Sequence, residues 1–297
     1  MKCGSSDPLY IILPYFNYCG FQKRRKLFLD FVKRYSNLKL VVVEVKGPAP
    51  LGRLAVYKHI KVASTSKVWI KENLINIGIK SLPEDWKFVA WIDADITFLN
   101  QNWVSETKEK LRSCDVLQMW QNAVNLGPKG EVLKIDKSFA YMYKGSKTPW
   151  TPNDKYGFWH TGFAWACTKK AYRTMDGLVD WAILGSADRH MAMSLAGLGQ
   201  QTCPGNLHEN YKILLKMYEV RVKKLAVDWL DGTIVHEWHG SFADRKYRER
   251  WDILTKNKFD PFEDIGYTDQ GLLQLSDKGK RFEKQLEEYF IGRREDS

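Results

Sequence analysis

A chain of 297 residues with 44% hydrophobic and 27% charged residues can bury a core without disulfide support, and it has no apolar run of about 18 residues to cross a bilayer. The formal charge of +11 excludes an acidic, solvating chain and is unevenly spread: residues 1–80 hold 15 Lys/Arg against 4 Asp/Glu, and the rest of the chain balances. Five scattered cysteines (Cys3, Cys19, Cys114, Cys167, Cys203) lack zinc-site or secreted-scaffold spacing, and Met1–Asp7 lacks a signal-peptide apolar core, so free thiols and a cytoplasmic protein are expected.

Leu9 to Pro14 is an apolar strand stopped by proline, followed by the loop Tyr15-Phe16-Asn17-Tyr18-Cys19-Gly20. Within the basic first quarter, Lys23-Arg24-Arg25-Lys26 is either a solvated helix face or a patch for phosphate or a polyanion such as nucleic acid. Lys26 to Tyr35 repeats apolar residues at helical spacing, and Leu38 to Val45 is a second strand with Glu44 near its end. Strand, helix, strand implies a parallel sheet, whose ligands bind beyond the carboxyl ends of its strands. Residues 47–68 read mostly as loop, and Trp69 to Ile79 as a helix capped near Gly78. The stretch Trp86 to Leu99 carries the next strand, buried and ending in Asp93-Ala94-Asp95.

Downstream, a helix is expected over Glu106 to Arg112, a strand over Asp115 to Trp120, and loop over 121–156. Gly157 to Ala166 is strand-like, with glycines that let a sugar or backbone come close. A helix follows at Thr168 to Met175, and Trp181 to Ala192 reads as a turn into a helix with Asp188 in its first turn, where capping alone accounts for a carboxylate. Residues 206–225 read as a helix, Gly232 to Gly240 as a short strand ending in His236 and His239, and residues 241–297 as charged and helix-prone.

Residues two apart on a strand point the same way, so Asp93 and Asp95 diverge only if the chain turns at Ala94, leaving one carboxylate for a cation and the other for a hydroxyl. Hard oxygen ligands suit Mg²⁺ or Mn²⁺ bridged to substrate phosphates; a turn with a helix N-cap is the plain alternative. His236 and His239 face opposite sides of a flat strand, so both serve one ion only if the strand ends between them. Trp159 and Trp165 are candidates to stack on a sugar or base, or simply core.

These segments, in this order over roughly residues 9–240, resemble the metal-dependent glycosyltransferases of the GT-A fold, in particular the β-1,4-galactosyltransferase and polypeptide N-acetylgalactosaminyltransferase lineages. Trp69-Ile70-Lys71 followed by Leu74-Ile75-Asn76-Ile77-Gly78 is similar to the galactosyltransferase motif Phe-Asn-Arg-Ala-Lys-Leu-Leu-Asn-Val-Gly, with Lys71 at its arginine, and Asp93-Ala94-Asp95 matches Asp-Val-Asp. The Trp-x-Lys-Glu and His-x-Trp-His-Gly patterns also resemble uncharacterised bacterial and phage proteins.

The resemblance implies an α/β, Rossmann-like mixed sheet flanked by helices. It implies a GT-A domain over 1–240, with a nucleotide-binding half at 1–100 and a donor-sugar and acceptor half at 101–240, then a C-terminal helical extension at 241–297. It implies transfer of a sugar from a nucleotide-diphosphate sugar, a UDP-sugar favoured, to an acceptor hydroxyl, with inversion and with Mn²⁺ or Mg²⁺. Pro14, Tyr15, Asn17 and Glu44 would hold the nucleoside, and Lys71 and Asp93 the phosphates and ribose. Gly162 and Trp165 would meet the donor sugar. Asp95 with His236 or His239 would hold the ion, and Asp188 would act as base. Ala187 stands where the family carries a glutamate, which leaves Asp188 as the carboxylate for the acceptor.

The acceptor is expected to be a glycan, a protein or a hydroxymethylated DNA base. A non-catalytic nucleic-acid-binding protein explains the basic first quarter but not Asp93, Asp95 and His236 together. A nucleotidyltransferase or nucleotide-sugar hydrolase explains metal and phosphates but leaves Asp188 idle.

Overall fold

The apolar run ending at Pro14 and Tyr15 forms β1 (Leu9–Tyr15), buried along nearly its whole length. The computed structural model describes residues 7–145 and 159–297. After β1 come α1 (Gln22–Arg34), β2 (Lys39–Val45), β3 (Lys58–Val62), α2 (Lys71–Lys80), β4 (Phe88–Ile92), β5 (Ile96–Phe98) and α3 (Trp103–Lys110). The middle of the chain adds β6 (Val116–Gln118), β7 (Asn122–Leu126), β8 (Val132–Ser138), β9 (Trp159–His160), β10 (Ala164–Thr168), α4 (Lys169–Met175), α5 (Ala187–Leu195) and α6 (Glu209–Val222). The last part contributes β11 (Val227–Trp229), β12 (Thr233–His236), α7 (Trp251–Lys256), β13 (Ile265–Tyr267), β14 (Leu273–Leu275) and α8 (Glu283–Gly292).

The main sheet has the order β11-β6-β10-β4-β1-β2-β3. β1 runs parallel to β2 and β4, and β10 lies antiparallel between β4 and β6, so the expected mixed α/β architecture is present. Successive β1 residues feed opposite layers: Tyr10 and Ile12 join a core beneath α2, α4, α5 and α6, while Leu9, Ile11 and Leu13 join one with α1 and α3. That double burial is why the strand reads as a continuous apolar run. Among the described residues no helix is long and apolar enough to cross a membrane, and the four described cysteines are free thiols.

A second sheet, β5-β12-β7-β8-β9, stands at the carboxyl end of β4. Its antiparallel β5–β12 register places His236 opposite Ile96, one residue from Asp95.

Several elements depart from the sequence reading. The strand that ends at the Asp pair, β4, is followed past the turn by a further short strand, β5, which the sequence reading lacks. β3 occupies part of the 47–68 loop; only Val62 is buried in this edge strand, so its pattern is too faint to read. β7 and β8 lie in the 121–156 loop, and β8 keeps Val132, Leu133 and Ile135 exposed, without an apolar face to mark it. Gly78 does not cap α2 but sits inside it, where a Cβ would come within 2.6 Å of Ile12 Cγ2 on β1. Gly157, Phe158 and the 146–156 part of the loop lie outside the described residues.

The C-terminal stretch adds the β13–β14 hairpin to its two helices and shares the core of the rest: Leu254, Phe259, Phe282 and Leu286 pack in the same cluster as Ile12 and Leu74. Asn73 on α2 accepts from the Leu273 amide at 3.0 Å, which ties the hairpin to that helix.

Candidate active site

The main sheet ends in a cleft of about 640 Å³, formed where β1, β4 and the second sheet meet the 242–251 segment. β4 stops at Ile92, the Asp93 amide donates to Phe163 O at 2.8 Å, and the chain turns through Ala94. The turn parts the two carboxylates as the spacing requires. Asp93 pairs with Lys71 at the start of α2, while Asp95 faces the end of β12.

β12 stops at His236, and the chain bends back so that His239 reaches the same carboxylate. Asp95 Oδ2 lies 2.9 Å from His239 Nε2 and 4.0 Å from His236 Nε2, and the two histidine nitrogens are 3.4 Å apart. The Glu237 amide donates to Asp95 O at 2.8 Å, fixing the two segments to each other. Ligand atoms around an ion held at about 2.1 Å in an octahedral site are about 3 Å apart, close to this spacing. Asp95 Oδ1 and His239 Nδ1 are buried and have no hydrogen-bond partner among the described residues, so the triad leaves a buried acceptor unused.

His236 is oriented from behind. Asn125 gives its amide to Asp136 Oδ2 at 3.0 Å, so its oxygen accepts from His236 Nδ1 at 3.0 Å and leaves the Nε2 lone pair facing Asp95. Burial pushes the His236 imidazole down to about 3, which keeps it neutral. Burial alone would raise Asp95, but His239, 2.9 Å away, holds its carboxyl well below the usual range. Arg245, on the segment closing the cleft, brings its guanidinium to 3.1 Å from His239 Nε2.

At the other end, Asp188 lies in the first turn of α5, entered through Gly185 and Ser186, both at positive φ. Gly162 faces it: a Cβ there would meet Asp188 Oδ2 and His160 Cε1, each at 2.8 Å. Phe163 holds φ of 75°, a strained value for an aromatic residue, and stacks on His160 with ring centres 4.3 Å apart. Lys71 lines the same cleft, its proton held tightly against burial above all by Asp93. Burial raises the Asp93 carboxyl, with the Lys71 charge opposing.

Pro14, Tyr15, Lys71, Asp93, Asp95, Gly162, Asp188, His236 and His239 are brought together around this cleft. Asn17, Glu44 and Trp165 do not line it. Asn17 closes the loop into α1 through Phe21. Glu44, buried, accepts from the Leu51 amide at 2.8 Å and faces His59 at 2.7 Å. Trp165 is core, its indole N–H bonded to Thr161 O at 2.7 Å. Trp159, by contrast, does line the cleft.

The sequence reading missed Glu72, Trp69, Arg24, Arg250 and Arg293 as lining residues. The arginines that follow His239-Gly240 were a signal for the closing segment. Arg293 near the end of the chain carried none, because its place over Trp69, 5.1 Å from the ring centre, depends on the tertiary fold.

No protein-family model matches the chain, and no curated protein matches it. Among solved structures, a Drosophila β-1,4-galactosyltransferase 7 mutant in complex with manganese, UDP-Gal and xylobiose is similar at 13% identity, over 91% of this chain and 94% of that one, with a TM-score of 0.43. A putative nucleotide-diphospho-sugar transferase from Desulfovibrio desulfuricans is similar at 15% identity over 94% and 97%, TM-score 0.37. A 4-diphosphocytidyl-2C-methyl-D-erythritol synthase from Anaerococcus prevotii is similar at 13% identity over 77% and 90%, TM-score 0.35.

Proposed function

We propose that the chain is a metal-dependent, inverting glycosyltransferase of GT-A type that moves a sugar from a nucleoside-diphosphate sugar to an acceptor hydroxyl. The observation that carries this reading is the convergence of Asp95, His236 and His239 in one cleft with Lys71, Asp93 and Asp188. One carboxylate oxygen and two imidazole nitrogens, with Asp95 Oδ1 still unused, fit a divalent transition ion, and the nitrogen ligands favour Mn²⁺ over Mg²⁺. When bound there, the ion supplies positive charge to the leaving diphosphate.

The chain's own residues perform the rest. Asn125 and Asp136 fix the His236 tautomer, and Lys71 adds charge at the leaving group while orienting Asp93 toward the ribose or sugar. Asp188, across the cleft from the triad, takes the proton of the acceptor hydroxyl as its oxygen bonds to the anomeric carbon and the bond to the diphosphate breaks. Pro14, Tyr15 and Trp69 wall the nucleoside end, and uracil is the favoured base.

The acceptor is a glycan, a protein or a modified DNA base. The Arg24-Arg25-Lys26 run argues little for DNA, because Arg24 pairs with Glu295, Arg25 donates to Pro50 O and Lys26 pairs with Asp30. Mn²⁺ titration in the presence of UDP, followed by electron paramagnetic resonance, tests the ion site. Wild type should take up one ion, and Asp95→Asn, folded by circular dichroism, should bind it roughly tenfold or more weakly. Equal affinity in the two proteins contradicts the site.

A further inference from the structure

One buried carboxyl of the cleft belongs to a residue the mechanism does not use. Glu72 is the second residue of α2, where a carboxylate facing water gains from the helix dipole. Here the side chain turns inward: Glu72 is 5% exposed and lines the cleft. Beyond its own backbone amide, no hydrogen bond from a described residue reaches it, and the charges nearest it are Lys71, Asp188 and Asp93. Glu72 thus shares the cleft with the proposed ion site and the proposed base, among the ionisable groups Lys71, Asp93 and Asp188.

A sugar linked to a diphosphate at the triad, with its anomeric carbon open to attack by a hydroxyl at Asp188, lies in the cleft that Glu72 lines. Burial pushes the Glu72 carboxyl up to about 8, so near neutrality it carries a proton and can donate as well as accept. Sugar hydroxyls, which also do both, match such a group. A buried carboxyl with so few partners costs folding free energy unless a ligand completes its hydrogen bonds.

We propose that Glu72 binds hydroxyl groups of the donor sugar and is the residue of α2 that distinguishes a nucleotide sugar from the bare nucleotide. This rests on the transferase reading. It sets a second carboxyl group, from α2, in the cleft beside Asp188.

Calorimetric titration separates the two readings. UDP, GDP, ADP and CDP, each alone and as its hexose derivative, are titrated with Mn²⁺ into wild type, Glu72→Gln and Glu72→Ala, all checked by thermal melting. Wild type should bind one hexose derivative more tightly than its nucleotide. In Glu72→Ala that added affinity should fall about tenfold with nucleotide affinity unchanged, and Glu72→Gln should lose less. Unchanged sugar discrimination in Glu72→Ala overturns the role of Glu72 alone. Equal loss of nucleotide and sugar binding in the folded Gln variant also overturns it, pointing to a general change in the cleft. No binding of any probe by wild type overturns the transferase reading and this proposal with it.

Discussion

Gly162 and Phe163 show how tightly the backbone is drawn around Asp188. A side chain at Gly162 would collide with Asp188 Oδ2 and His160, and Phe163 accepts positive φ while its carbonyl receives the Asp93 amide. Gly162→Ala is therefore expected to displace the Asp188 carboxylate, lowering turnover about tenfold or more while leaving nucleotide affinity within about twofold. Steady-state kinetics beside calorimetry checks this, and unaltered turnover would show that Asp188 does not work from that position. At this scale the sequence was most legible where chemistry forces spacing. Asp93 and Asp95 have to diverge, and His236 and His239 share a carboxylate because β12 ends at the first of them. Glu72 was illegible for the opposite reason, since an acidic residue in a first helical turn has a sufficient local explanation and its burial in the cleft is decided by the tertiary fold.

At the scale of elements, α2 carries Lys71 and Glu72 into the cleft because its far end is held against β1. Gly78 makes that approach possible: a Cβ would lie 2.6 Å from Ile12 Cγ2 and 3.1 Å from Val43 Cγ2. Gly78→Ala gains about 1 kcal/mol of helix propensity but overpacks two buried strands at a cost of about 1–3 kcal/mol. The expected outcome is a melting temperature lower by a few degrees, and a rise would mean that α2 is not packed against β1 at this distance. Periodicity located α2 correctly but misread this glycine as its end, because a C-cap and a close helix–strand contact both demand glycine. Among the strands that escaped reading, β3, β7 and β8 are short or half-exposed. The place of β7 also depends on a distant partner, β12, which begins more than a hundred residues later.

Over the whole molecule, two apolar layers cover the main sheet, and the cleft opens where β1 and β4, parallel neighbours, come to their carboxyl ends. The C-terminal stretch completes one wall. Arg293 and Glu295 are buried there, Glu295 pairs with both Arg24 and Arg293, and these two arginines hold its carboxyl well below the usual range against the effect of burial. Asp296 accepts from the Gln22 and Lys23 amides at 3.0 and 2.7 Å at the start of α1. Part of the positive charge in the first quarter is thus answered by acidic residues from the last, an arrangement that counting charges along the chain does not disclose. The central claim is that this cleft binds a nucleoside diphosphate through an ion held by Asp95, His236 and His239. The most direct test is calorimetric titration of nucleoside diphosphates and nucleotide sugars into the purified protein with Mn²⁺ and again with a chelator. Tight binding of one nucleotide, lost on chelation and in Asp95→Asn, is the result predicted. Absence of binding by the folded protein, or binding indifferent to the ion, would contradict it.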